Sequence, residues 1–174
     1  MNWDAISAIS DTLAALAVVA TLVYLAIQIR QNTSAIRSTT THAAHDQAAM
    51  FYDLMASDSQ LGEIFSRGLH DPDALNSGET ARFYAAMSSA TFRSQNWYFQ
   101  ARSGLMDREL LESWNRVLRQ VSGMPGHQRF WEERRHVYAP EYVTYLEQEV
   151  FLSERDPNYR PLGVDSRSKD HARS

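Results

Sequence analysis

The chain has 174 residues, 44% of them hydrophobic, a formal net charge of -4 and no cysteine. That length supports one small domain with a modest core beside any membrane segment. The weakly acidic balance excludes the basic face that nucleic-acid binding needs and the polybasic patch that holds anionic lipid, and the lack of cysteine fits a reducing compartment.

The first predicted element is the apolar run from Ile6 to Ile29, which carries no charge from Thr12 onward. At about 1.5 Å per residue that uncharged part reaches about 27 Å, close to the hydrocarbon thickness of a bilayer. Asp11 and Arg30 bracket it, and Trp3 sits where an interfacial aromatic would. No Lys or Arg precedes the run, so it does not read as a cleaved signal peptide. Residues 1–30 are therefore predicted to be a transmembrane anchor; a buried helix of a soluble bundle and an interfacial helix are the alternatives. Ser7, Ser10, Ala14, Ala17, Thr21, Tyr24 and Gln28 recur at alternating spacings of about 3 and 4. This places small and polar residues on one seam, opposite bulky Ile9, Leu13, Leu16, Val23 and Ile27. Helices in lipid associate through close packing of small residues, so the seam is a candidate homo-oligomer interface.

No Gly or Pro interrupts the chain from Gln31 to Ser57, so the helix is expected to run on. Residues 31–47 read as a solvated polar neck, with a bend allowed at Thr39, Thr40 and Thr41. A bundle is expected over residues 48–152. Ala48, Phe51, Leu54 and Met55 restore an apolar stripe, and Ser57 with Gln60 has the spacing of a capping box. Residues 70–78 form a loop by turn chemistry, and Asn76 with Glu79 caps a helix over about 78–102. Rings on several sides of that helix mark it as central, with Ser89, Arg93, Asn96 and Gln100 as its wet face. After Gly104, Asp107 caps the next helix, with Met106 and Leu111 as a hydrophobic staple. Its face is Leu110, Leu111, Trp114, Val117, Leu118 and Val121. Two more helices follow, over about 127–138 with Phe130, Trp131, Val137 and Tyr138 inward, and from Pro140 to about Leu152. Residues 153–174 are polar and are expected to be a loose tail.

Several constellations have residue types and spacings that can carry chemistry. His42, His45 and Asp46 share one helix face at spacings that can hold a metal. Glu133 and His136 make a Glu-x-x-His pair of the kind used in di-iron bundles, but the second pair and the further glutamates are missing. Both read better as solvated faces, so neither a metal nor another cofactor is expected. No phosphate-binding glycine loop, Gly-x-Ser-x-Gly or cysteine nucleophile occurs, and no catalytic residue is assigned. Arg134 shares a stripe with His127, Phe130 and Trp131, which makes it a candidate buried charge needing a carboxylate or carbonyls. The crowd around Trp97, Trp114 and Trp131 reads as core rather than as a ligand pocket.

The segments WDAISAIS, LAVVATLVYLAIQIRQNT, NWYFQARSGLMD and MPGHQRFWEERRHVYAPEY resemble a group of small uncharacterised bacterial membrane proteins. These share an amino-terminal anchor and a helical domain of unknown function, and the likeness extends to about Phe151. The resemblance implies a bacterial inner-membrane setting and brings no activity with it. Arg30 and Arg37 on one side of the anchor, against Asp4 and Asp11 on the other, predict Met1 outside and the bundle in the cytoplasm. The expected fold is all-α, with one transmembrane helix continuing into a cytoplasmic bundle. The expected role is a non-enzymatic, self-associating interaction module, with a cytoplasmic protein as partner and no nucleic acid. A homo-oligomeric pore, and a small-molecule sensor or metal-dependent enzyme, are the alternatives.

Overall fold

The computed structural model describes residues 3–154, with side chains from residue 13 onward. The fold is all-α, and no strand occurs among the described residues. Helix α1 (Trp3–Ser57) is followed by α2 (Ser59–His70), α3 (Ser77–Arg102), α4 (Arg108–Val121), α5 (Pro125–Arg134) and α6 (Pro140–Tyr145). Short 3-10 turns lie at Pro72–Ala74 and Arg135–Val137, and a π turn at Leu146–Val150 ends the described chain. The expected tail beyond Glu154 lies outside the described residues, and the seam residues Ser7 and Ser10 lie outside the described side chains.

Helix α1 is unbroken over 55 residues, about 80 Å. The bend allowed at the threonine run does not occur. The Thr39 hydroxyl donates to the Ala35 carbonyl at 3.0 Å, and Thr40 and Thr41 are already half-buried. The first fully buried position on α1 is Ala44, so the bundle begins within the expected neck. A methyl side chain gave no sign of a contact surface, because only its closeness to the neighbouring helices buries it.

Ser57 and Gln60 do not form the expected capping box. Helix α1 runs through Ser57, and the first extended residue is Asp58, whose carboxylate accepts from the Leu61 amide at 2.9 Å. Gln60 instead accepts from Arg82, which also pairs with Asp58, tying α2 to α3. The capping box at Asn76 and Glu79 is present in both directions. Asp107 caps α4, with Met106 and Leu111 both buried. Pro125 and Pro140 occupy first turns, where a missing amide costs nothing.

The core is a chain of rings. Phe51 on α1 makes edge contacts with Phe65 on α2 and Trp114 on α4, and Trp114 meets Trp97 on α3 at 5.2 Å. Farther along, Trp131 stacks on Tyr138 and meets Phe151 edge-on. Buried Asn115 donates to the Tyr145 hydroxyl at 2.6 Å, and the Gln95 side chain accepts from the Ala139 amide at 2.7 Å. Helices α2 and α5 touch backbone to backbone. A Cβ on Gly126 would stand 1.9 Å from the Gly68 carbonyl oxygen, and one on Gly68 would strike the Phe83 ring.

That contact generates a prediction. Gly126→Ala must push two backbones apart and should cost about 3 kcal/mol. Gly78→Ala, where the new methyl meets only ordinary contact distance, should leave stability within about 0.5 kcal/mol of wild type. Urea unfolding of the purified chain, followed by near-ultraviolet circular dichroism, measures both.

Candidate functional site

Two surfaces stand apart from the plain core: the uncovered part of α1 and a cavity in the bundle. From Leu13 to Ile29 the large apolar side chains are 45% to 68% exposed, and no part of the bundle reaches them. By length and composition this helix can cross a membrane. Of the seam residues, Ala14, Ala17, Thr21, Tyr24 and Gln28 are all exposed. The Thr21 hydroxyl donates to the Ala17 carbonyl at 2.8 Å, and the Gln28 amide donates to the Tyr24 hydroxyl at 2.7 Å. The Thr21 hydroxyl and one Gln28 amide proton thus have partners on their own helix, which lowers the cost of placing them in an apolar medium.

A partly open cavity of about 540 Å³ lies between the last turns of α1 and helices α2 to α5. Its walls include Phe51 and Met55 from α1, Phe65 from α2, Met87 from α3, Trp114 from α4 and His127 from α5. Trp114 was read as core in the sequence, and it is both: one part of the ring packs on Trp97 while the residue also lines the cavity. Trp97 and Trp131 belong to the core alone. Rings at helical spacing look the same whether or not a void lies between them, so no sequence signal marked the difference.

His127 is the polar residue of greatest interest in that wall. Only 4% of it is exposed, and its ring stacks on Trp131 and meets Phe151 edge-on. Burial among these rings pushes its pKa down to about 4, so the ring is neutral at physiological pH.

The other residues singled out in the sequence do not assemble. His42, His45 and Asp46 are exposed on α1, and His136 is exposed in the turn after α5. Glu133 accepts from the Tyr84 hydroxyl at 2.8 Å; burial and then this carboxylate push the phenol up to about 12. Among the described residues no three His, Cys, Asp or Glu side chains gather to hold a metal. Arg134 is exposed rather than buried. It is the last residue of α5, where the backbone turns into a 3-10 segment and carries it off the inward stripe. The same change leaves Val137 exposed. Comparison with known protein families, curated proteins and solved structures finds no match for this chain.

The buried imidazole sets a pH dependence. Its folded pKa lies below the unfolded value of about 6.5, so the neutral ring contributes stability that is present above pH 6.5 and lost as pH falls toward 4. The loss at pH 4 amounts to roughly 3 kcal/mol from this residue. His127→Phe should flatten that limb, so the stability difference between wild type and variant should shift in the variant's favour between pH 6.5 and 4. Urea unfolding at stepped pH measures it; parallel curves would contradict this assignment.

Proposed function

We propose that this chain is a membrane-anchored helical module that self-associates through its anchor and presents its bundle to a protein partner. One observation carries the reading: the uncovered apolar stretch of α1. Ten large apolar side chains between Leu13 and Ile29 stand outside a bundle whose core is complete without them. Burying each contributes roughly 1.5–3 kcal/mol, which sums to on the order of 15–30 kcal/mol. A small domain has only about 5–15 kcal/mol of net stability, so a covering for this helix dominates the behaviour of the whole chain. The stretch is uncharged on all sides from Thr12 to Ile29, as a bilayer requires, whereas a surface helix docked on one partner carries a charged opposite face. The charge asymmetry of Arg30 and Arg37 against Asp4 and Asp11 supports a cytoplasmic side for the bundle.

Within that reading, Ala14, Ala17 and Thr21 give the helix one narrow face where a second copy can approach closely. The local pairing of Thr21 and of Gln28 favours close packing over a water-filled conduit, because a conduit wall would offer its polar groups to the lumen.

Anchoring is tested with Val19→Arg combined with Leu22→Arg. Each charge near the centre of the span costs about 2.5–3.5 kcal/mol. The wild-type chain should remain in the membrane pellet after alkaline carbonate extraction, with a reporter fused after Ser174 reading as cytoplasmic, and the double variant should leave the pellet. Extraction of the wild type by carbonate would overturn the anchor. Self-association is tested by disulfide crosslinking of Ala14→Cys against Leu13→Cys. The first should crosslink several-fold faster, and adding Ala17→Leu should slow it. Equal rates at both positions would remove the seam from the proposal.

A further inference from the structure

The cavity and one unpaired arginine point to a ligand class. Four arginines of the described bundle are half-buried: Arg67, Arg82, Arg93 and Arg119. Three of them carry a carboxylate, Arg67 with Glu79, Arg82 with Asp58 at 2.9 Å and Arg119 with Glu112 at 3.2 Å. Arg93 has no such partner among the described residues. One of its terminal nitrogens is buried without a hydrogen-bond partner, and the other reaches only the Ser89 hydroxyl at 3.4 Å. A guanidinium in this setting is expensive to leave unmatched, and burial already disfavours its charge.

Arg93 stands close to the cavity. The guanidinium carbon of Arg93 lies over the Phe51 ring, 5.7 Å from its centre, and Phe51 forms part of the cavity wall. Ala90, one helical turn before Arg93, lines the same cavity. An apolar chamber of about 540 Å³ lies within the size range of small-molecule sites. Water gains little there, because its walls offer few hydrogen-bonding groups. An apolar chamber with an unmatched cation beside one wall suits a molecule with an apolar body and a carboxylate head.

We infer that the bundle binds a free fatty acid, its chain in the cavity between α1 and α4 and its carboxylate on Arg93. The chain packs against Phe51, Met87 and Trp114, and Arg93, which stands behind Phe51 and outside the lining, reaches the head group by a change of rotamer. No Asp, Glu, Lys or Arg lines the chamber, so its wall is uncharged along the chain.

The test uses the full chain in lipid nanodiscs, with dodecanoate and dodecanol as probes and empty nanodiscs as the partition control. Thermal unfolding is followed by near-ultraviolet circular dichroism. Dodecanoate should raise the Tm of the wild type saturably and bind it at least about tenfold more tightly than dodecanol. Arg93→Gln should lose about tenfold in affinity for dodecanoate and keep its affinity for dodecanol. Val117→Trp, which fills the cavity from α4, should abolish the shift with both probes. Ala90→Leu fills it from α3 and serves the same purpose should Val117→Trp fail to fold. No saturable shift in the wild type, equal binding of the two probes, an unchanged dodecanoate affinity in Arg93→Gln, or binding that survives the filled cavity would each overturn the inference.

Discussion

Two glycines let α2 and α5 meet backbone to backbone. Gly126 at the start of α5 lies against the Gly68 carbonyl near the end of α2, with no room for even one carbon between them. Everything next to that contact takes its place from it. Leu69 follows Gly68, His127 follows Gly126, and both line the cavity. Phe130 and Trp131, one turn further along α5, are driven into the core, where Tyr84 and Tyr138 receive them. Phe83 lies over Gly68 and carries the arrangement to α3. A backbone contact of this kind is intolerant of change because neither side has a rotamer to give.

Much of this architecture was legible in the sequence, and the parts that were share a cause. Helix starts at Asn76, Asp107 and Pro140 depend on side chains acting within three residues of themselves, so local chemistry decides them, whereas α5 begins at Pro125, two residues before the expected start. The uninterrupted course of α1 follows from the absence of Gly and Pro. The errors arise where a partner distant in sequence decides the outcome. Gln60 was drawn from a cap to Arg82, twenty-two residues away. Arg134 was placed on an inward stripe by a helical period that the backbone abandons at that residue. Ala44 and Asn115 are among the most buried residues although neither type announces it, one being small and the other polar. The cavity was illegible for the same reason, since the void belongs to five helices at once and to no periodicity in any of them.

The ion pairs follow a pattern that the composition conceals. Arg67 to Glu79, Arg82 to Asp58, Arg129 to Asp73, Arg102 to Glu141 and Arg135 to Glu147 each join separate elements. Most are well exposed, and such pairs are individually worth about 0–1 kcal/mol. Their value is in fixing which helix faces which. Against that background an arginine at the core margin without a carboxylate is a departure from the way this chain treats its other half-buried guanidiniums.

The continuity of α1 connects its two surfaces. Its last turns supply one wall of the cavity, and its first half is the uncovered apolar stretch. Between them lies a threonine- and serine-rich segment of poor helix propensity. Such a segment would fray alone, because starting a helix is costly while extending one is not. Here it is held between two stretches already helical, one fixed by the bundle and the other, in the proposed placement, by a medium without water to compete for its backbone. Thr33 and Thr39 return their hydroxyls to carbonyls four residues back, so neither draws water into the helix. The joint also lacks the glycine or proline at which a helix kinks sharply. Without a hinge, the rotational setting of the bundle about α1 is fixed relative to the anchor's faces. Packing two anchors along the Ala14 and Ala17 seam would then dictate how two bundles, and the cavity wall each α1 provides, face one another.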